Sequence, residues 1–256
     1  MDLNLKRQFG ERWTKYFPGA EWPLAFYYTD DEPSAAEVAI PPAHRCLIGA
    51  LAPVRAGQTW RLSGRTPGCS GGKRYTGFST TLRPKFEYFL SCGIPDELEG
   101  ERYKKSPELV RGFLERQPPF EAPGKYLVFK RWDALQAEDQ PVALIFFAPP
   151  DVLSGLFTLA NYDEEDLLSV IAPMGSGCAS IIQYPLRESQ SDHPRAVLGM
   201  FDVSARPHVP WETLTFAIPW QKFMRMVANM DESFLITESW AAVRARLAGE
   251  AAMAPR

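Results

Sequence analysis

The sequence predicts a single α/β (α+β) domain spanning residues 1–256, built from two related strand-helix-strand halves around a mixed sheet. Short β-prone apolar runs alternate with segments of helical period. Twenty-three prolines divide the chain into many short elements joined by fixed turns. Two stretches can also be laid over one another: WPLAFYY, CLIGAL and TWRLSGRTPGCSGG match QPVALIFF, VLSGLF and LLSVIAPMGSGCAS. That match pairs Pro23 with Pro141, Gly49 with Gly155, and Gly68-Cys69 with Gly177-Cys178. The implied halves are 22–95 and 140–200, followed by a helical C-terminal region over 220–247. A pseudo-two-fold axis relating them would bring the two Gly-Cys turns to one cleft.

The elements follow in order. Leu5, Phe9, Trp13 and Phe17 recur at steps of four and predict a docking helix over 3–17, stopped by Pro18 and Gly19. WPLAFYYTDD, between Pro23 and the turn-forming Asp30 and Asp31, reads as a strand buried on both faces. A polar insert with Pro33, Pro41 and Pro42 leads to a short helix over 46–54, and residues 61–79 form a glycine-built loop. Helices are expected over 85–92, with Gly93 as its stop, and over 107–116, with Ser106 as N-cap and Pro107 as first residue. Strands follow over 126–130 and 142–147, then a helix capped by Asp151 and running to Asn161. A strand over 167–172 enters a second glycine loop, PMGSGCASI. Strands over 196–202 and 214–218, a helix over 220–229 and an alanine-rich, frayed helix after Ser239 complete the chain.

Composition excludes several function classes. A 45% apolar chain of this length buries a full core, and a net charge of -3 without blocks of like charge attracts neither nucleic acid nor anionic lipid. The N-terminus lacks the apolar core of a signal peptide, and the longest apolar run, 142–148, is far below the roughly 20 residues that span a bilayer. A soluble, cytoplasmic protein is expected, in which Cys46, Cys69, Cys92 and Cys178 are thiols or metal ligands rather than disulfides.

The chemistry is expected at the glycine loops. RLSGRTPGCSGGKRYTGFS holds five glycines, one cysteine, three arginines and a lysine. A cysteine where a glycine loop opens a helix meets unpaired backbone N–H groups, which favour a thiolate or a bound anion. Arg65, Lys73 and Arg74 add positive charge, and Gly68, Gly71 and Gly72 allow close approach of a ligand. The loop is neither a P-loop nor a dinucleotide fingerprint. The thiols could supply a tetrahedral zinc or an iron-sulfur cluster, with Cys69 and Cys178 the first members and Cys46 next. No C-x-x-C pair supports this, and Cys92, beside Phe89 and Leu90, reads as a buried structural thiol. His44, two residues from Cys46, is placed to join a metal or act as a base; His193 reads as exposed. Asp202 and Arg206, near His208, read as a pair that braces its loop or reaches a ligand, and DEED at 163–166 as a solvated turn.

The segments GRTPGCSGGKRYTGF, MGSGCASIIQYPL, GMFDVSARP and FAIPWQKF, in this order, resemble the uncharacterised ArCR family, also called domain of unknown function 169, over residues 22–234. That family occurs in bacteria and archaea, many of them anaerobes. The resemblance implies cysteines at the places of Cys46, Cys69 and Cys178, and a glycine and an arginine near Asp202–Arg206. Many members carry a further cysteine near that segment, where this chain has Gly199, Met200 and Phe201, which leaves Cys92 as a substitute. The family name implies no activity. The resulting expectation is a metal or iron-sulfur centre on Cys46, Cys69 and Cys178 that serves redox or cofactor handling. The alternative is a non-catalytic module that binds a small anionic ligand through Arg65, Lys73, Arg74 and Arg206, with Ser176, Gly177 and Asp202 in the same site. A third reading makes Cys69 a nucleophile. Expected partners are a small-molecule or metal ligand, with a homo-oligomer left open.

Overall fold

Alternation along the strands sets the layers. In the computed structural model, which describes residues 1–32 and 46–249, seven strands form one sheet. They are β1 (Leu24–Thr29), β2 (Trp60–Ser63), β3 (Tyr126–Arg131), β4 (Ala143–Ala148), β5 (Val170–Ile171), β6 (Ala196–Gly199) and β7 (Leu214–Pro219), in the spatial order β2-β3-β1-β4-β7-β6-β5. Neighbours are antiparallel except β5 and β6, which run parallel, so the sheet is mixed. Successive side chains on a strand point to opposite faces. Ala25, Leu144, Phe146, Phe216 and Ile218 therefore meet one core, while Leu24, Phe26, Ala143, Ile145 and Ala217 meet another.

Helices cover both faces. In chain order they are α1 (Leu3–Tyr16), α2 (Leu47–Ala50), α3 (Ala52–Arg55), α4 (Ser70–Tyr75), α5 (Phe86–Phe89), α6 (Pro107–Arg116), α7 (Pro150–Ala160), α8 (Tyr184–Glu188), α9 (Trp220–Asn229) and α10 (Glu238–Leu247). The first core is built by α1, α7, α9 and α10, and the stripe expected on α1 supplies Phe9, Trp13 and Phe17 to it. Residues of α2, α3 and α4 and the turn after Cys178 build the second.

Local sequence explains the main departures from expectation. Gly49 lies in α2 and Gly155 in α7, yet these aligned helices pack on opposite faces. A two-fold axis between antiparallel β1 and β4 passes through the sheet and keeps a helix on its own face, so it cannot superpose α2 on α7. The duplication expected from sequence does not extend to them. The helix over 46–54 breaks into α2 and α3 around Leu51, ahead of Pro53. Asp151 does not cap α7: Pro149 occupies that position, and the Asp151 carboxylate instead binds Arg246 of α10 at 2.6 Å. β6 stops at Gly199 because Met200 takes a left-handed backbone, φ 70°. Glu164 in DEED is not a solvated acid, because its carboxylate holds the buried Lys222 at 2.8 Å and Arg225 at 2.5 Å. Cys92 is exposed, not buried, since the short α5 ends ahead of Gly93, φ 76°. His44, the insert with Pro33, Pro41 and Pro42, and the terminal residues 250–256 lie outside the described residues. Among the described residues no helix is long and apolar enough to cross a membrane.

Candidate functional site

Three cysteines stand where helices begin. Cys46 precedes α2, and Cys69 is the N-cap of α4, its Sγ accepting the Gly72 N–H at 3.1 Å. Cys178 sits at the start of a wide π turn, Ala179–Gln183, that runs on into α8. The wide turn has a local cause: Pro185 has no N–H to give the preceding turn, and its ring clashes with the carbonyl four residues back. Ser176 caps the entry, its Oγ accepting the Ala179 N–H at 3.1 Å.

Packing brings these starts together. A Cβ added at Gly72 would lie 3.1 Å from the Cys69 sulfur and 3.5 Å from the Cβ of Leu47, the residue after Cys46. A Cβ at Gly177 would lie 2.9 Å from the Ala205 Cβ, 3.2 Å from Ile48 of α2 and 3.3 Å from the Met200 sulfur. Glycine at 177 is thus the condition for α2, the Cys178 turn and the loop after β6 to meet. Asp202, on that loop, ties them: its Oδ2 accepts the Gly177 N–H at 2.9 Å, and its Oδ1 accepts from the Ser204 N–H at 3.0 Å and hydroxyl at 2.7 Å.

The electrostatics report one neighbourhood. Burial pushes the Cys178 thiol well above its ordinary range, and Cys69, Cys46 and Asp202 push it the same way. Burial likewise raises Cys46, with the amides of Gly49 and Ile48 opposing and with Cys69 and Asp202 adding to the rise. Tyr75 at the end of α4 is raised by burial and feels Cys178 and Asp202, while its contact with the Ser176 hydroxyl opposes the shift. Among the described residues no group of three or more His, Cys, Asp or Glu side chains is spaced to hold a metal ion. The thiols are gathered but are not closed into a single-ion site.

The basic residues do something else. Arg74 is buried and donates to the Thr80 carbonyl at 3.0 Å, and Lys73 donates to the Gly64 carbonyl at 3.1 Å. Arg206 does not pair with Asp202; it donates to the carbonyls of Thr213, Pro210 and Trp211 and so holds its own loop closed. Arg65 lines an open depression of about 970 Å³ with Ser63, Gly64, Thr80 and Lys125, apart from the thiols. A space of about 20 Å³ adjoins Cys69, between Leu47, Trp60 and Gly68. Gly71 lies inside α4. His208 packs against Gly49, its Nδ1 3.2 Å from where a Cβ would be, and His193 is exposed as expected. Sequence reasoning missed Tyr75 and Ser204; Tyr75 had a signal, as the aromatic end of the first glycine loop, and Met200 stands in the stretch where the resemblance implied a further cysteine.

Fold and site together define a single-domain mixed α/β protein in which three cysteine thiols share a largely buried neighbourhood with one carboxylate. The family model for uncharacterised ArCR proteins, domain of unknown function 169, matches residues 20–229. The chain belongs to that family. No curated protein and no solved structure matches it.

Proposed function

We propose that Cys46, Cys69 and Cys178 hold an iron-sulfur centre and that the protein serves in redox or cofactor handling in the reducing cytoplasm. The carrying observation is that three thiols from separate segments of the chain feel one another and Asp202. Left alone, Cys178 and Cys46 favour the protonated thiol, because burial costs a thiolate its hydration. A cationic centre reverses that balance and deprotonates its ligands. A zinc ion draws its thiolates to about 2.3 Å, whereas a cluster spreads them over separate irons. The cluster is preferred here because its ligands are all thiolates, and three thiols are what this neighbourhood offers.

The anionic-ligand reading has less support, since Arg74 and Arg206 already spend their guanidinium groups on backbone carbonyls. The nucleophile reading gains nothing from the burial of its neighbours.

Anaerobic purification, followed by iron and acid-labile sulfide analysis, tests the proposal. The expected outcome is a brown protein with comparable amounts of both, lost in Cys178→Ser and Cys69→Ser. A colourless protein that takes up neither on reconstitution, and whose melting temperature rises with small anionic metabolites, would overturn it in favour of the anion-binding module.

A further inference from the structure

A half-open pocket lies on the same helix as Cys178 but shares no wall with the thiols. It has a volume of about 140 Å³, with Gln117, Pro119 and Phe120, just after α6, on one side and Gln183, Leu186 and Arg187 on the other. Its walls are mainly apolar, and its buried polar side chains are held in fixed orientations. The Gln117 Nε2 donates to the Tyr184 hydroxyl at 2.7 Å, and that hydroxyl donates to the Met174 carbonyl at 2.6 Å. The Gln183 Nε2 donates to the Pro118 carbonyl at 3.0 Å, which turns its amide one way round. The Gln183 Oε1 is then buried with no donor among the described residues, in a side chain that is only 8% exposed.

A buried amide oxygen without a partner is costly, and folded proteins rarely leave one so. Here it belongs to a side chain in the wall of a cavity close in size to the roughly 150 Å³ apolar cavity that admits benzene in another protein. We infer that this cavity binds a small neutral molecule of the phenol or aromatic-amine class, whose ring fills the apolar space and whose single O–H or N–H meets the Gln183 Oε1. Because that oxygen is fully buried, binding requires the Gln183 side chain to turn and give up its bond to the Pro118 carbonyl. The apolar walls exclude a multiply charged ligand.

Phenol and toluene are the probes, titrated into the full chain and followed by backbone amide shifts. Phenol is expected to saturate one site with shifts confined to 117–120 and 183–187, and to bind more tightly than toluene. Gln183→Leu should lower the phenol-to-toluene affinity ratio roughly three- to ten-fold, the worth of one hydrogen bond. Leu186→Phe, which fills the space, should abolish binding of both. The inference fails if phenol does not bind at millimolar concentration, or if the ratio is the same in Gln183→Leu. It fails equally if a crystal structure shows an ordered water on the Gln183 Oε1 that phenol does not displace. Should Gln183→Leu not fold, the wild-type preference and Leu186→Phe still decide.

Discussion

Cys178 shows what burial does to a single group. Its folded pKa lies above the ordinary value of 9.0, so the folded protein prefers the neutral thiol more strongly than the unfolded chain does. That preference contributes in full below the ordinary thiol pKa and is lost as pH rises toward the folded one. The melting temperature of the metal-free protein should therefore fall on going from about pH 8.5 to 9.5, and fall less in Cys178→Ala, as a pH series by differential scanning calorimetry would show. The raised tyrosines, Tyr75 and Tyr184 among them, act in the same direction from their ordinary range near 10 upward, so the difference between the wild type and Cys178→Ala is what reports the thiol. Sequence placed Cys69 at a helix start correctly, because a cysteine followed by SGGKRY carries its own local signal. The exposure of Cys92 was not legible, because its apolar neighbours Phe89 and Leu90 suggest a buried helix that in fact ends within one turn.

Among the elements, α9 is the most informative. Its sequence, WQKFMRMVAN, presents Phe223, Met226 and Val227 to the core and buries Lys222 beside them. Glu164, in the turn after α7, is what makes that lysine tolerable. Burial raises the Glu164 carboxyl, but Lys222 and Arg225 outweigh it and hold it below its ordinary range. Glu164→Gln leaves a buried ammonium unpaired and should cost about 3 kcal/mol in urea unfolding, while Glu164→Gln with Lys222→Met should recover most of it. A cost within experimental error for the single variant would show that Lys222 reaches water. Local pattern gave the 220–229 helix its correct bounds, but the partner of Lys222 lies 58 positions away and no local pattern names it. The helix of Tyr75 and the turn of Cys178 are a similar pair: both elements were legible as glycine-cysteine segments, but their contact was not.

For the whole molecule, the sheet order decides what meets. β1 and β4 lie side by side, but β2 and β5, the strands that lead into the two glycine-cysteine segments, stand at opposite edges of the sheet, and those segments meet only by packing back over one face. A centre on Cys46, Cys69 and Cys178 would cross-link three such segments and stabilise only the folded chain. Anaerobic reconstitution with iron and sulfide should raise the melting temperature by several degrees, with the gain absent in Cys46→Ser. An equal gain in that variant would remove Cys46 from the ligand set.

By itself the sequence determined the alternation of strands and helices, the stripe on α1, the cap at Ser106 and the places of the cysteines, since each depends on residues a few positions apart. It also suggested a shared site for Cys69 and Cys178 through an internal symmetry that α2 and α7, on opposite faces, do not follow. Only the tertiary structure decided that α2, the Cys178 turn and the Asp202 loop close around Gly177, that Arg74 and Arg206 serve the backbone, and that Gln183 faces a cavity. The physical reason is range: hydrogen-bond period and turn chemistry act over a few residues, whereas burial and close approach are properties of chain segments that sequence leaves far apart.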